Sequence, residues 1–138
     1  MSFSPDGKTL ASGSGDKTIK LWNLETLAET KTLSGHGSWV TSVNFSPDGK
    51  TLASGSMDNM IKLWNLETFA ETKTLSSYGS WISSVGYSPD GKTLVSGSGD
   101  KTIMLCNLSN FTSITTLRIH KINCWISLFY SKRKETDI

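Results

Sequence analysis

Between residues 39 and 76, short runs of alternating apolar and small polar residues are broken by turn formers at regular intervals. "WVTSVNF" (39–45) sets Trp and Val against Ser, Thr and Asn and is rich in β-formers, which predicts a strand. "SPDG" (46–49) follows. Its proline presets φ, its aspartate can bond its own backbone, and its glycine allows positive φ, so a turn is expected. "KTLASGS" (50–56) reads as a second strand whose Ala, Gly and Ser suit a tightly packed inner position. "MDN" (57–59) turns the chain again. "MIKLWNL" (60–66) gives a third strand, and "AETKTLS" (70–76) a fourth, more polar and nearer the outside. The four predict one small antiparallel sheet. Such a sheet leaves both faces poorly covered alone and must stack on neighbours.

The same pattern recurs with a period of 42: Trp22, Trp64 and Cys106 are in phase, as are Asp16, Asp58 and Asp100, and His36, Tyr78 and His120. Residues 3–44 and 45–86 are identical at 33 of 42 positions, and residues 87–103 still follow the template. Beyond Met104 the likeness fades. "NCWISLFYSKRK" (123–134) aligns with "GSWISSVGYSPDGK" (79–92) once a residue is skipped, and reads as the opening strand of a further copy that has lost its hairpin.

A period in this range, the Gly35-His36 pair, the "SPDGKTLASGS" hairpin and "DxxIKLW" together resemble the WD40 repeat of β-propellers over residues 3–117. The resemblance implies an all-β fold, a partial β-propeller of about three four-stranded antiparallel WD40 blades plus a partial extra strand. The blades are expected over residues 1–118, with repeats near 3–34, 35–76 and 77–118. A degenerate start of a further repeat and a basic tail would fill 119–138. The Trp-Asp pair that names the family is Trp-Asn at 22–23 and 64–65, and Cys106-Asn107 in the third copy. In the family a buried hydrogen-bond chain links Trp, Ser or Thr, His and Asp. Here the full set is His36, Ser54, Asp58 and Trp64; an indole N–H, a hydroxyl, an imidazole and a carboxylate can pair in series. Ser12, Asp16 and Trp22 form a partial set, as do Tyr78, Ser96, Asp100 and Cys106. Partner contacts in the family come from positions shortly after the His and just before the Asp. These map to Trp39, Thr41 and Met57, and to Trp81, Ser83 and Gly99, with Gly15 in the first copy.

The resemblance implies a non-enzymatic scaffold for a protein or peptide partner, with no cofactor. A hydrolase built on Ser54, His36 and Asp58 is the alternative from another class. Against it, a catalytic site need not recur in fragments, whereas a structural one would. "SGSGD" (12–16) lacks the Gly-Lys-Ser/Thr spacing of a phosphate loop, and Cys106, His120 and Cys124 are irregularly spaced for metal ligation, so no metal is expected.

The net charge of +2 is uneven: from Leu117 onward five basic residues face two acidic ones, leaving 9 basic and 10 acidic residues in the rest. A near-neutral body argues against nucleic-acid binding, and Lys132-Arg133-Lys134 reads as a solvated tail. No apolar run approaches a membrane span or a secretory leader, and the two cysteines, Cys106 and Cys124, read as free thiols. No membrane association and a cytoplasmic location are therefore expected. Closed propellers use about four to eight blades, so three would form an open arc with exposed sheet faces. A fragment of a longer propeller is the favoured expectation. The others are completion by a second copy, since near-identical repeats make compatible seams, and a truncated remnant without function.

Overall fold

The computed structural model describes residues 1–76 and 79–118. Those residues form three sheets, each a four-stranded antiparallel meander in chain order. The first sheet holds β1 (Ser2–Phe3), β2 (Thr9–Gly13), β3 (Ile19–Asn23) and β4 (Ala28–Leu33). The second holds β5 (Val40–Phe45), β6 (Thr51–Ser56), β7 (Met60–Asn65) and β8 (Glu71–Ser76). The third holds β9 (Ile82–Tyr87), β10 (Thr93–Ser98), β11 (Thr102–Asn107) and β12 (Thr112–Arg118). These are three blades of a partial propeller, as the sequence predicts. The extra strand anticipated over 123–134 falls outside the described residues, as do Tyr78, His120, Cys124 and the basic tail.

The turns form for local reasons. In "SPDG" the Asp48 carboxylate accepts from the Ser46 hydroxyl at 2.6 Å and the Lys50 amide at 2.9 Å, while Gly49 takes φ of 73°. Asn65 explains why the family's Trp-Asp can be Trp-Asn. Its side-chain oxygen accepts from the amides of Glu67 at 2.8 Å and Thr68 at 3.0 Å, a role that needs an acceptor but no charge. One residue later in that hairpin, Phe69 adopts φ of 59° and its ring sits 5.1 Å under the ammonium of Lys31 from the preceding sheet. Phe111 and Lys73 repeat this pair at 4.9 Å.

The core lies between sheets rather than within one. Ala11, Ile19, Leu21 and Leu33 of the first sheet pack with Val40, Val43, Phe45, Leu52 and Trp64 of the second. Ala53, Ile61 and Leu63 pack with Ile82, Val85, Leu94 and Cys106 across the next seam. Two glycines set how close the blades come. A Cβ on Gly13 would lie 2.6 Å from Val40, and one on Gly55 would lie 2.4 Å from Ile82, so any side chain there would push the blades apart.

Side chains of the innermost strands also bond the backbone of the next blade. The Ser42 hydroxyl accepts from the Val85 amide at 3.1 Å, and the Asn44 carbonyl from the Tyr87 amide at 3.0 Å. Ser2 accepts from the Phe45 amide at 3.3 Å in the same way.

Candidate functional site

β6 and β7 of the second blade place Ser54 and Trp64 beside one another, and the β4–β5 and β6–β7 connections bring His36 and Asp58 to them. The indole N–H of Trp64 donates to Ser54 Oγ at 2.9 Å. Ser54 Oγ lies 2.7 Å from His36 Nε2, and His36 Nδ1 lies 2.8 Å from Asp58 Oδ2. A neutral imidazole with its proton on Nδ1 completes the chain: hydroxyl to Nε2, Nδ1–H to carboxylate. Asp58 also accepts from the amides of Gly37 at 2.9 Å and Met60 at 2.8 Å. The edge of the Trp64 ring faces the imidazole at 6.3 Å between centroids.

Burial shapes the titration of these groups. It lowers the His36 pKa from the ordinary value of 6.5, against the opposing pull of Asp58. For Asp58, burial alone would raise the carboxyl. The Gly37 amide, His36 and the Met60 amide outweigh it and leave the carboxyl below its ordinary value of 3.8. Ser54 has no solvent exposure, and its oxygen is enclosed by Trp64 and His36. A nucleophile must reach a substrate, and this hydroxyl faces only protein. The arrangement therefore ties four elements of one blade together and leaves nothing to attack.

The other blades carry parts of this chain. Trp22 donates to Ser12 Oγ at 2.9 Å, while the exposed Asp16 accepts from the Thr18 amide at 3.0 Å and the Thr18 hydroxyl at 2.6 Å. In the third blade Asp100 holds the Thr102 amide at 3.0 Å. Ser96 is buried, and the buried Cys106 thiol stands where the indole would be, 3.7 Å from the Asn107 carbonyl, its pKa pushed up by burial. No group of three His, Cys, Asp or Glu side chains among the described residues is placed to hold a metal.

The residues assigned to a partner face are placed as follows. Trp39, Met57 and Trp81 are 60%, 43% and 41% exposed, large apolar side chains open to solvent. The Met57 amide donates to the Trp39 carbonyl at 2.9 Å, and the Gly99 amide to the Trp81 carbonyl at 2.9 Å, so each tryptophan is tied to the position before its blade's aspartate. The rings differ in where they lie. Trp39 covers Gly15 of the preceding blade, and Trp81 covers Gly99 of its own. Met57 occupies the position of those glycines in the second blade, and a side chain there denies Trp81 the platform that Trp39 has. Thr41 is exposed, and its hydroxyl lies 3.0 Å from the Gly55 carbonyl and 2.5 Å from the Ile82 carbonyl of the next blade. Ser83 is exposed.

Sequence reasoning missed the Lys31–Phe69 and Lys73–Phe111 pairs and the buried Lys62, which bonds Glu71 and, at 3.1 Å, Thr74. The signal for the first two was present as Phe at 69 and 111 with Lys at 31 and 73, the same separation twice.

The model of the family described as "WD domain, G-beta repeat" matches residues 1–23, 28–65 and 69–107. The chain belongs to the WD40 repeat family. The second and third WD40 matches each begin with the outer strand of one sheet and end in the third strand of the next, so the family's repeat spans two blades. Relatives include "Probable serine/threonine-protein kinase PkwA" of Thermomonospora curvata, 50% identical over 29% of this chain and 5% of its own. "Nuclear distribution protein PAC1" of Candida tropicalis is 44% identical over 32% of this chain and 10% of its own. "Notchless protein homolog" of Arabidopsis thaliana is 73% identical over 19% of this chain and 6% of its own. The matched stretches thus take up a small part of each relative. A protein-interaction scaffold is the general role of WD40 repeats, and the described residues contain no helix long and apolar enough to cross a membrane.

Proposed function

We propose that this chain is a non-enzymatic, cytoplasmic interaction scaffold whose WD40 blades present Trp39, Met57 and Trp81 to a protein or peptide partner, with Thr41 and Ser83 beside them. The observation that carries the reading is the exposure of three large apolar side chains on backbone that is hydrogen-bonded in place. Tryptophan and methionine are good anchors: they offer large, polarizable contact area, and the tryptophan is rigid. Thr41 is exposed beside that face, and its hydroxyl also reaches the Ile82 carbonyl across the seam. The tetrad of His36, Ser54, Asp58 and Trp64 serves this face indirectly by fixing the connections that lead into it.

The test is affinity capture with the wild-type chain and with a Trp39→Ala/Trp81→Ala variant whose fold is checked by circular dichroism. A partner held by the wild type and lost by the folded variant is expected. Equal capture by both would overturn the reading. The outer faces of the first and third blades are surfaces that further blades of a longer propeller or a second copy would pack on, and the solution mass at several concentrations separates these outcomes.

A further inference from the structure

The seam between the first two blades holds a groove of about 360 Å³ on the side of the "SPDG" turns. Leu21, Phe45, Leu66 and Phe69 line it, and the carboxylates of Asp6 and Asp48 also face it. The two turns that carry these aspartates abut, since a Cβ on Gly49 would lie 3.6 Å from the Pro5 ring. In each carboxylate Oδ1 accepts from a serine hydroxyl and a lysine amide. Oδ2 of each has no hydrogen bond among the described residues. Those serine and amide bonds keep both acids well ionised, below their ordinary range. Lys8 and Lys50 follow the aspartates closely in the chain, yet no basic residue lines the groove.

The next seam shows what would fill such a space. There Tyr87 stands where the first seam has Phe45, and its hydroxyl lies 2.9 Å from the hydroxyl of Thr51. Thr9, the counterpart of Thr51, lines the groove, and its own hydroxyl has no partner among the described residues. The first seam lacks the phenol hydroxyl that bonds Thr51 in the second.

We propose that this groove is a second binding site, separate from the tryptophan face, and that it takes the arginine side chain of a peptide. The methylene stem lies against Leu21, Phe45 and Leu66, and the guanidinium meets Asp6 and Asp48. An arginine combines an apolar stem with a planar fork of donors that can serve two carboxylates at once. Phe69 already carries the ammonium of Lys31 over its ring at 5.1 Å, so the guanidinium is placed against Asp6 and Asp48 and not on that ring.

The test is an amide NMR titration of the full chain with the blocked tripeptide acetyl-Gly-Arg-Gly-amide, and with its Glu counterpart as control. Saturable movement of the Phe45, Asp48, Leu66 and Phe69 amides with the arginine peptide alone is expected. Phe45→Tyr should supply the missing hydroxyl, bond Thr9 and weaken binding about tenfold with the fold kept. Asp48→Asn keeps an acceptor for the turn, removes the charge, and should weaken binding about fivefold. Equal shifts with both peptides, an unchanged affinity in Phe45→Tyr, or no saturable movement would overturn the proposal. The Trp39→Ala/Trp81→Ala variant should titrate like the wild type, so a failed partner face leaves this site standing. Loss of the response in that variant would place the arginine on the tryptophans and overturn the groove.

Discussion

Ser54 is the residue on which two other buried polar groups depend. Removing its hydroxyl leaves the Trp64 N–H and His36 Nε2 without their partner in a site that water does not reach. Ser54→Ala should therefore cost about 2–4 kcal/mol, read as a fall in the urea midpoint. Ser12→Ala, which strands only the half-buried Trp22, should cost about 1 kcal/mol by the same measurement. A larger loss at Ser12 would show that the hydrogen-bond chain is not what holds the second blade. His36 adds a pH dependence. Its folded pKa is lowered below 6.5, so its contribution is fully present above that value and declines as the pH falls and the unfolded state takes up the proton. The Asp58 shift acts in the same direction at lower pH, since its folded pKa lies below 3.8. Urea midpoints should drop as the pH falls below the histidine value, and His36→Gln should remove that limb while leaving the carboxylate one.

At the level of strands and turns, the inner-strand glycines differ in what the described residues set against them. Gly55→Ala should destabilise by about 1–3 kcal/mol, because the new methyl runs into Ile82 and Val85 of the next blade. Gly97 holds the same position in the third blade, where, among the described residues, a Cβ would meet only the Ser83 hydroxyl at 3.0 Å. That side chain can rotate, so Gly97→Ala should stay within about 0.5 kcal/mol. Calorimetry of the two variants checks the contrast. Within one repeat the sequence announced its strands and turns, because alternation and "SPDG" chemistry are local, while the set of His36, Ser54, Asp58 and Trp64 came from the resemblance to the WD40 repeat. What joins one repeat to the next was not announced. The exposed Thr41 matches a partner-contact position, and its hydroxyl also lies against the Ile82 carbonyl, a contact that a single strand's pattern does not reveal. Phe45 and Tyr87 hold the same strand position, yet the Tyr87 hydroxyl bonds Thr51 across its seam while Phe45 lines a groove.

The whole molecule is an array in which each blade contacts the next, and its two internal seams share a fastening that its ends lack. Lys31 over Phe69 and Lys73 over Phe111 bridge successive blades. The first blade has Leu27 at the aromatic position, and the third has Thr115 at the lysine position. A second copy set end to end would thus form a seam without the pair. Leu27→Phe with Thr115→Lys should strengthen such association about threefold, read by light scattering as a lower concentration at half dimer. An unchanged mass curve would show that copies do not meet through these ends. The inner-strand position shared by Ser2, Asn44 and Gly86 has a consequence for folding as well. Blades this similar invite strand exchange while the chain is still assembling. Asn44 gives the Tyr87 amide an acceptor, whereas the side-chain-free Gly86 in its place would give none. A stack that sets another blade after the third leaves that blade's matching amide unmet, at about 1–3 kcal/mol, without any steric clash to lock it in. Wrong assemblies are therefore easily undone, and the order of the blades can be corrected before the chain commits to it.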